Sequence, residues 1–294
     1  MKCCYRDMYE LRVCDDNTKT ITFGKCCVLE HENFGRMPFS AVYECDDFWG
    51  MLNFKYQIMP NGHAYKPADH TFCCGTETCD WRNIPIKQIR VNINSCNLSC
   101  IMCHNNHRID KDCQDMYWHL LNLVKGHQLD TIVLTTGGEP FLEKKKTIDY
   151  ICSLTQNDCK EVKAITNGTT LDKDSIDKMA AACKEHGVKL HIQVSLDTRD
   201  KDAYCKIRNA NEKQYEAVMY NIEHLHNAGV LYGINIVMMP ENAHTVLEDI
   251  AYWHSRGIWM HVLPVRYDNG CGASQIKELI EMVKRDYSQY YGDA

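Results

Sequence analysis

From residue 86 to residue 265 the chain alternates between two hydrophobic rhythms. Residues 189–195 switch between polar and apolar at every step, as a strand does when one face is buried. Tyr215, Val218, Met219, Ile222 and Leu225 instead recur at three- and four-residue intervals, the spacing of one helix face. Read in this way, the segment predicts strands over 86–93, 131–134, 161–166, 189–195, 231–238 and 258–265. Between them it predicts helices over 116–124, around Ile148, Ile151, Cys152 and Leu154, from a cap at Asp172 to a stop at Gly187, along the 215–225 face up to Gly229, and over 245–255. Six βα units in succession argue for parallel strands with helices outside.

The first 80 residues break this rhythm. They show short strand-like runs over 20–23, 28–30 and 54–59, turn-prone pieces at Asp16-Asn17 and Pro60-Asn61-Gly62, and no long amphipathic helix. Cysteine changes the picture here. Of 18 cysteines, nine (Cys3, Cys4, Cys14, Cys26, Cys27, Cys45, Cys73, Cys74 and Cys79) lie in the first 79 residues. A segment poor in helix and rich in cysteine is expected to need a metal for its stability. The Cys-Cys pairs at 3–4, 26–27 and 73–74 fit either chance or an internal repeat. Met1-Lys2-Cys3-Cys4-Tyr5 opens no apolar signal region, so the expectation is a cytoplasmic chain whose cysteines stay reduced. Cys152 and Cys183, on helical patterns, read as free thiols acting as small hydrophobes.

The 294 residues are 45% hydrophobic and 24% charged, ordinary for a globular protein, with no apolar run long enough to span a membrane. A formal charge of −6 argues against duplex DNA or RNA as the main substrate. The one dense basic run, Lys144-Lys145-Lys146, reads as a solvated helix face.

The sharpest chemical signal is Cys96-Asn97-Leu98-Ser99-Cys100-Ile101-Met102-Cys103, a C-x3-C-x2-C spacing at the end of the first predicted strand. Four thiolates close a cubane iron–sulfur cluster. Three leave one iron open, and an open position leaves room for chemistry. Half of a zinc site is the competing reading. Gly137-Gly138-Glu139-Pro140 follows some 35 residues later, after the second strand, and a glycine pair there serves either a simple turn or close approach to a ligand. No Ser/His/Asp set, H-E-x-x-H or P-loop is present, and His224 and His226, two residues apart on a helix, do not face one another.

The run from Ile89 to Cys103, the Gly-Gly-Glu-Pro motif, Thr166-Asn167-Gly168, Gln193-Val194-Ser195-Leu196-Asp197 and Arg208, in that order, resemble the radical S-adenosylmethionine (SAM) superfamily over residues 85–265. The resemblance implies an α/β fold, an open partial (βα)6 barrel. It implies a [4Fe–4S] cluster on Cys96, Cys100 and Cys103, and SAM on the fourth iron. Reduction then cleaves SAM to methionine and a 5′-deoxyadenosyl radical that abstracts hydrogen. By the same resemblance, Gly137, Gly138 and Glu139 receive the methionine ammonium, Asn167 and Ser195 contact ribose or carboxylate, and Arg208 pairs with the methionine carboxylate, where the alternative is a surface arginine. Asp197 stands as a helix cap or a ribose contact. Met102 departs from the family, which usually carries an aromatic residue there, and His104 is read as a loop histidine.

The N-terminal cysteines are loosely similar to the auxiliary-cluster (SPASM and twitch) domains of that superfamily. Cys26, Cys27, Cys45, Cys73, Cys74 and Cys79 form the pool for an auxiliary [4Fe–4S] cluster, with Cys271 a distant candidate and zinc the rival metal. The chain thus divides into a cysteine-rich cluster domain over 1–84, the barrel over 85–267 and a helical extension over 268–294. The expected activity is oxidoreductase or peptide-modifying chemistry (cross-linking, thioether formation, epimerisation or oxidation), with a flavodoxin or ferredoxin as electron donor. The alternatives are a small molecule such as an aminocyclitol or sugar as substrate, and a non-catalytic iron–sulfur or zinc protein.

Overall fold

A computed structural model describes residues 8–13, 19–25, 35–49, 86–103, 110–134, 137–265 and 274–292. Among these residues, nine strands form one sheet: β1 (Met8–Val13), β2 (Thr20–Lys25), β3 (Gly35–Pro38), β4 (Gln88–Asn92), β5 (Leu129–Leu134), β6 (Cys159–Thr166), β7 (Lys189–Ser195), β8 (Leu231–Met238) and β9 (Met260–Pro264). Their spatial order is β3-β2-β1-β4-β5-β6-β7-β8-β9. From β4 to β9 every neighbouring pair is parallel, and these six strands build the partial barrel. The helices are α1 (Phe39–Tyr43), α2 (Lys111–Leu123), α3 (Lys144–Ser153), α4 (Lys173–Glu185), α5 (Lys201–Arg208), α6 (Glu212–Asn227), α7 (Val246–Ser255) and α8 (Lys277–Asp286).

The period-two strands explain the layering. On β7, Leu190, Ile192 and Val194 are buried, while His191, Gln193 and Ser195 are half-buried on the opposite face. The apolar set belongs to one continuous core with Ile176 and Met179 of α4 and Val218 and Ile222 of α6. Burying each such side chain contributes about 1.5–3 kcal/mol, which fixes the strand register. Side-chain caps start the helices that follow the functional loops. Asp172 accepts from Ser175 N, Asp200 from Ala203 N, and Asn211 forms a capping box with Gln214. Gly187 ends α4 with a φ of 70°, the left-handed turn that glycine adopts without cost.

The described strands on the N-terminal side of the expected boundary at residue 84 join the same sheet. Strand β1 pairs in parallel with β4, in the register Glu10↔Arg90, and β2 and β3 add antiparallel strands outside it. Strands β1, β2 and β3 therefore extend the barrel sheet at its first edge. Glu10, buried, accepts from Asn92 Nδ2 at 2.6 Å and from Arg12 at 2.7 Å, which satisfies a carboxylate on the inner face. At the other edge, Tyr291 pairs with Val262 beside β9, so the chain after α8 returns to the sheet. Lys144 pairs with Asp172 and Lys146 with Glu143, so the basic run is tied to neighbouring carboxylates. Among the described residues no helix is long and apolar enough to cross a membrane.

Candidate active site

The loops after β4, β5, β6 and β7 meet at the C-terminal ends of the strands, where parallel α/β barrels place their chemistry. The cysteine loop lies at the centre. Ser95, which precedes it, is buried, and its carbonyl accepts from Glu139 N at 2.9 Å. A Cβ on Gly138 would sit 2.4 Å from both Ile93 O and Ser95 O. The glycine is therefore required by the approach of two backbones, not only by a ligand.

Three contacts fasten the same loop to the last turn of α5. Ile101 N donates to Ile207 O at 2.9 Å, Asn209 Nδ2 to Ser99 Oγ at 2.6 Å, and Arg208 Nη1 to Cys100 Sγ at 3.7 Å. On the other side, Asn167 Nδ2 donates to Asn97 Oδ1 at 2.8 Å and reaches Cys96 Sγ at 3.8 Å. Asn97 in turn donates to Thr169 at 2.9 Å. Asn97, Ser99, Thr169 and Asn209 escape a motif reading. The only sequence signal for them is adjacency to Cys96, Cys100, Asn167 and Arg208.

Cys96, Cys100 and Cys103 are each half-buried, with no disulfide between them. Burial pushes the Cys96 thiol up to about 11, and burial also raises Cys100, against the pull of the Arg208 cation. Among the described residues no three of His, Cys, Asp or Glu converge as ligands of a single ion. Three thiols on one loop, two of them facing N–H donors, do suit an iron–sulfur cluster, whose sulfurs accept hydrogen bonds and whose irons prefer thiolate. Met102 packs against the core, and His104 lies outside the described residues.

Glu139 is buried at 2% exposure, and its carboxylate is fully engaged. It accepts from Thr166 Oγ1 at 2.7 Å, Asn167 N at 2.7 Å and Phe141 N at 2.9 Å. Burial lifts it to about 7, and these donors hold it back. Its side chain thus orders the turns after β5 and β6.

Asp197 is neither a helix cap nor open to solvent. The cap of α5 is Asp200. Asp197 is wholly buried with a φ of 71°. Its Oδ2 pairs with Arg208 Nη2 at 2.7 Å, and its Oδ1 accepts from Val237 N at 2.9 Å. Asn242, also buried, donates to Asp197 O at 2.9 Å and to Val237 O at 2.8 Å, locking the loop onto β8. Arg208, expected at the surface in one reading, is 7% exposed, and its buried Nε has no hydrogen-bond partner. Arg199 closes the loop against α7, with Nε 2.9 Å from Asp249 Oδ1 and the guanidinium 3.7 Å above the Tyr252 ring. Ser195 ends β7 opposite Asn235 of β8.

The remaining candidates stand apart. Cys45, just past α1, is half-buried against the core. Cys26, Cys27, Cys73, Cys74, Cys79 and Cys271 lie outside the described residues. Cys183 is buried and Cys152 half-buried, as their helix faces indicate. His224 pairs with Asp177 at 2.8 Å.

Similarity to known proteins agrees with this geometry. A probable GTP 3′,8-cyclase of Methanococcus aeolicus is 30% identical over 192 residues, covering 63% of this chain and 61% of that protein. The GTP 3′,8-cyclase of Clostridium acetobutylicum is 33% identical over 141 residues, 45% of this chain and 40% of its own. This chain thus covers less than two thirds of the length of either relative. In fold it is similar to Streptococcus suis SuiB, with a TM-score of 0.52 at 15% identity over 70% of this chain and 49% of that one. SuiB bound to precursor peptide SuiA gives 0.51 at 13% identity over 99% and 72%. The family model of the Radical SAM superfamily matches residues 93–252, more than half of the chain. With the thiol triplet, the Gly-Gly-Glu-Pro turn and the partial barrel in place, the chain belongs to the radical SAM superfamily.

Proposed function

We propose that Cys96, Cys100 and Cys103 ligate the [4Fe–4S] cluster and that the chain uses it to modify a peptide. The observation that carries the site is that Cys96 is met by Asn167 from the β6 end and Cys100 by Arg208 from α5. When bound, the cluster and SAM supply reductive carbon–sulfur cleavage and a 5′-deoxyadenosyl radical that takes hydrogen from the substrate. The chain's own residues hold and orient. Glu139, committed to the β5 and β6 turns, would present the Gly137-Gly138 backbone to the methionine ammonium. Arg208, whose Nε has no hydrogen-bond partner, would supply the guanidinium for the methionine carboxylate. Asn167 and Ser195 would contact the ribose or carboxylate.

The peptide reading is supported by the fold likeness to SuiB bound to its precursor peptide. A second reading, a nucleotide substrate, is favoured by the sequence relatives named GTP 3′,8-cyclase. The cysteine-rich first 80 residues support an auxiliary cluster, and a flavodoxin or ferredoxin is proposed as the reductant.

Anaerobic reconstitution, reduction and mass spectrometry of the products test this reading. Methionine and 5′-deoxyadenosine should form in the wild type and be absent in C96S, C100S and C103S. Stimulation of that cleavage by candidate precursor peptides supports the first reading. Stimulation by GTP with deuterium transfer from the nucleotide replaces it with the second.

A further inference from the structure

We propose that Asp197 is a positioning residue for the iron–sulfur centre: it holds the Arg208 guanidinium against Cys100 Sγ, so that a fixed cationic N–H donor makes the cluster easier to reduce. The inference rests on the proposed ligation by Cys96, Cys100 and Cys103.

The guanidinium is planar, so pairing one Nη fixes where the other points. Nη2 is 2.7 Å from Asp197 Oδ2, and Nη1 is 3.7 Å from Cys100 Sγ. Both ends of this bridge are rigid. Asp197 is held by Val237 N and Asn242 Nδ2 in a left-handed conformation. Arg208 sits between Ile207 and Asn209, and each of these bonds the cysteine loop. The donor and the sulfur therefore belong to one body. Asp197 and Arg208 are 0% and 7% exposed, so no bulk water replaces the contact if it is lost.

One-electron reduction adds one negative charge to the cluster. Hydrogen bonds to its sulfurs and positive charge beside it both favour the reduced form, and a poorly solvated setting strengthens them.

The sign of one measurement separates positioning from simple charge balance. If Asp197 only contributed its charge, D197N would remove an anion and raise the cluster's midpoint potential. If Asp197 positions Arg208, the result is opposite. The new carboxamide keeps its oxygen on Val237 N, turns its NH2 toward the Arg208 donors and drives the guanidinium off the sulfur.

The test is an EPR-monitored redox titration of the cluster-loaded protein without SAM, so that methionine contacts do not enter. D197N is expected to be about tenfold harder to reduce, a fall of about 59 mV for one electron. R208K, whose single ammonium cannot serve both partners, should fall as well. A D197N midpoint that is unchanged or higher overturns the proposal. Should D197N load no iron, R208K decides, and a wild-type midpoint there is equally fatal. Should neither variant load, the pair is structural and the proposal fails. A wild type that takes up no iron and sulfide fails at the ligation step, which its metal content shows directly.

Discussion

The Glu139 carboxylate receives the Asn167 backbone N–H at 2.7 Å, joining the turn after β5 to the turn after β6. Through this bond an acidic side chain inside the Gly-Gly-Glu-Pro motif shapes the protein before any ligand arrives. Its protonation therefore enters the stability of the fold. Glu139 lies near 7 when folded, against an ordinary 4.5. The folded state keeps a proton that the unfolded chain releases in between. Stability from neutral Glu139 is full below pH 4.5 and is lost as pH rises through 7. Between about pH 5 and pH 8 the metal-free wild type should lose roughly 2–3 kcal/mol more than E139Q. Urea unfolding across that range measures the difference, and parallel curves would refute it.

G138A should injure the site through the backbone. The added methyl meets two main-chain carbonyls, and neither can rotate away. The loops after β4 and β5 must part, and the Glu139 N to Ser95 O bond is lost. A cost of about 1–3 kcal/mol is expected, together with a fall in iron bound per chain after reconstitution. Thermal melts and iron analysis read the two effects separately.

N167A removes the donor to Cys96 and Asn97 but keeps the main-chain bond to Glu139. The fold should weaken by about 1 kcal/mol. The cluster should be lost to a chelator several-fold faster than from the wild type, measured by the decay of its visible absorbance. An unchanged decay would mean that the Asn167 side chain does not support the cysteine loop.

S195A should load iron normally and raise the Kd for SAM, measured by equilibrium dialysis under anaerobic conditions. A wild-type affinity would remove Ser195 from the proposed cofactor contacts.

D249A tests the anchor on the far side of the β7 loop. Asp249 is 2% exposed and holds Arg199 in place over Tyr252. Losing it strands a half-buried cation, and a loss of about 1–3 kcal/mol is expected in chemical denaturation. If stability is unchanged, the stacking on Tyr252 alone holds Arg199.

The parallel strands were legible because their outer faces carry unbroken apolar sets, such as Leu190, Ile192 and Val194 on β7. Strand β1 was not, because Glu10 and Arg12 take its inner positions and the alternation resembles a charged loop. Helix α5 is eight residues long, and only Tyr204, Ile207 and Arg208 are buried, too few to show a helical period. The cysteine triplet was legible from spacing alone. The Asp197–Arg208 bridge was not, since it depends on a left-handed turn at the end of β7 and on how α5 docks. Arg208 is easily read as a ligand contact, yet two of its nitrogens face the protein itself.

The pairing of β1 with β4 joins residues some 80 positions apart, as Glu10 and Arg90 show. During synthesis β1 leaves the ribosome before β4 and waits for it. Sequence-distant pairings of this kind form slowly. The edge nearest the cysteine loop is thus expected to consolidate after the β5–β8 portion has folded.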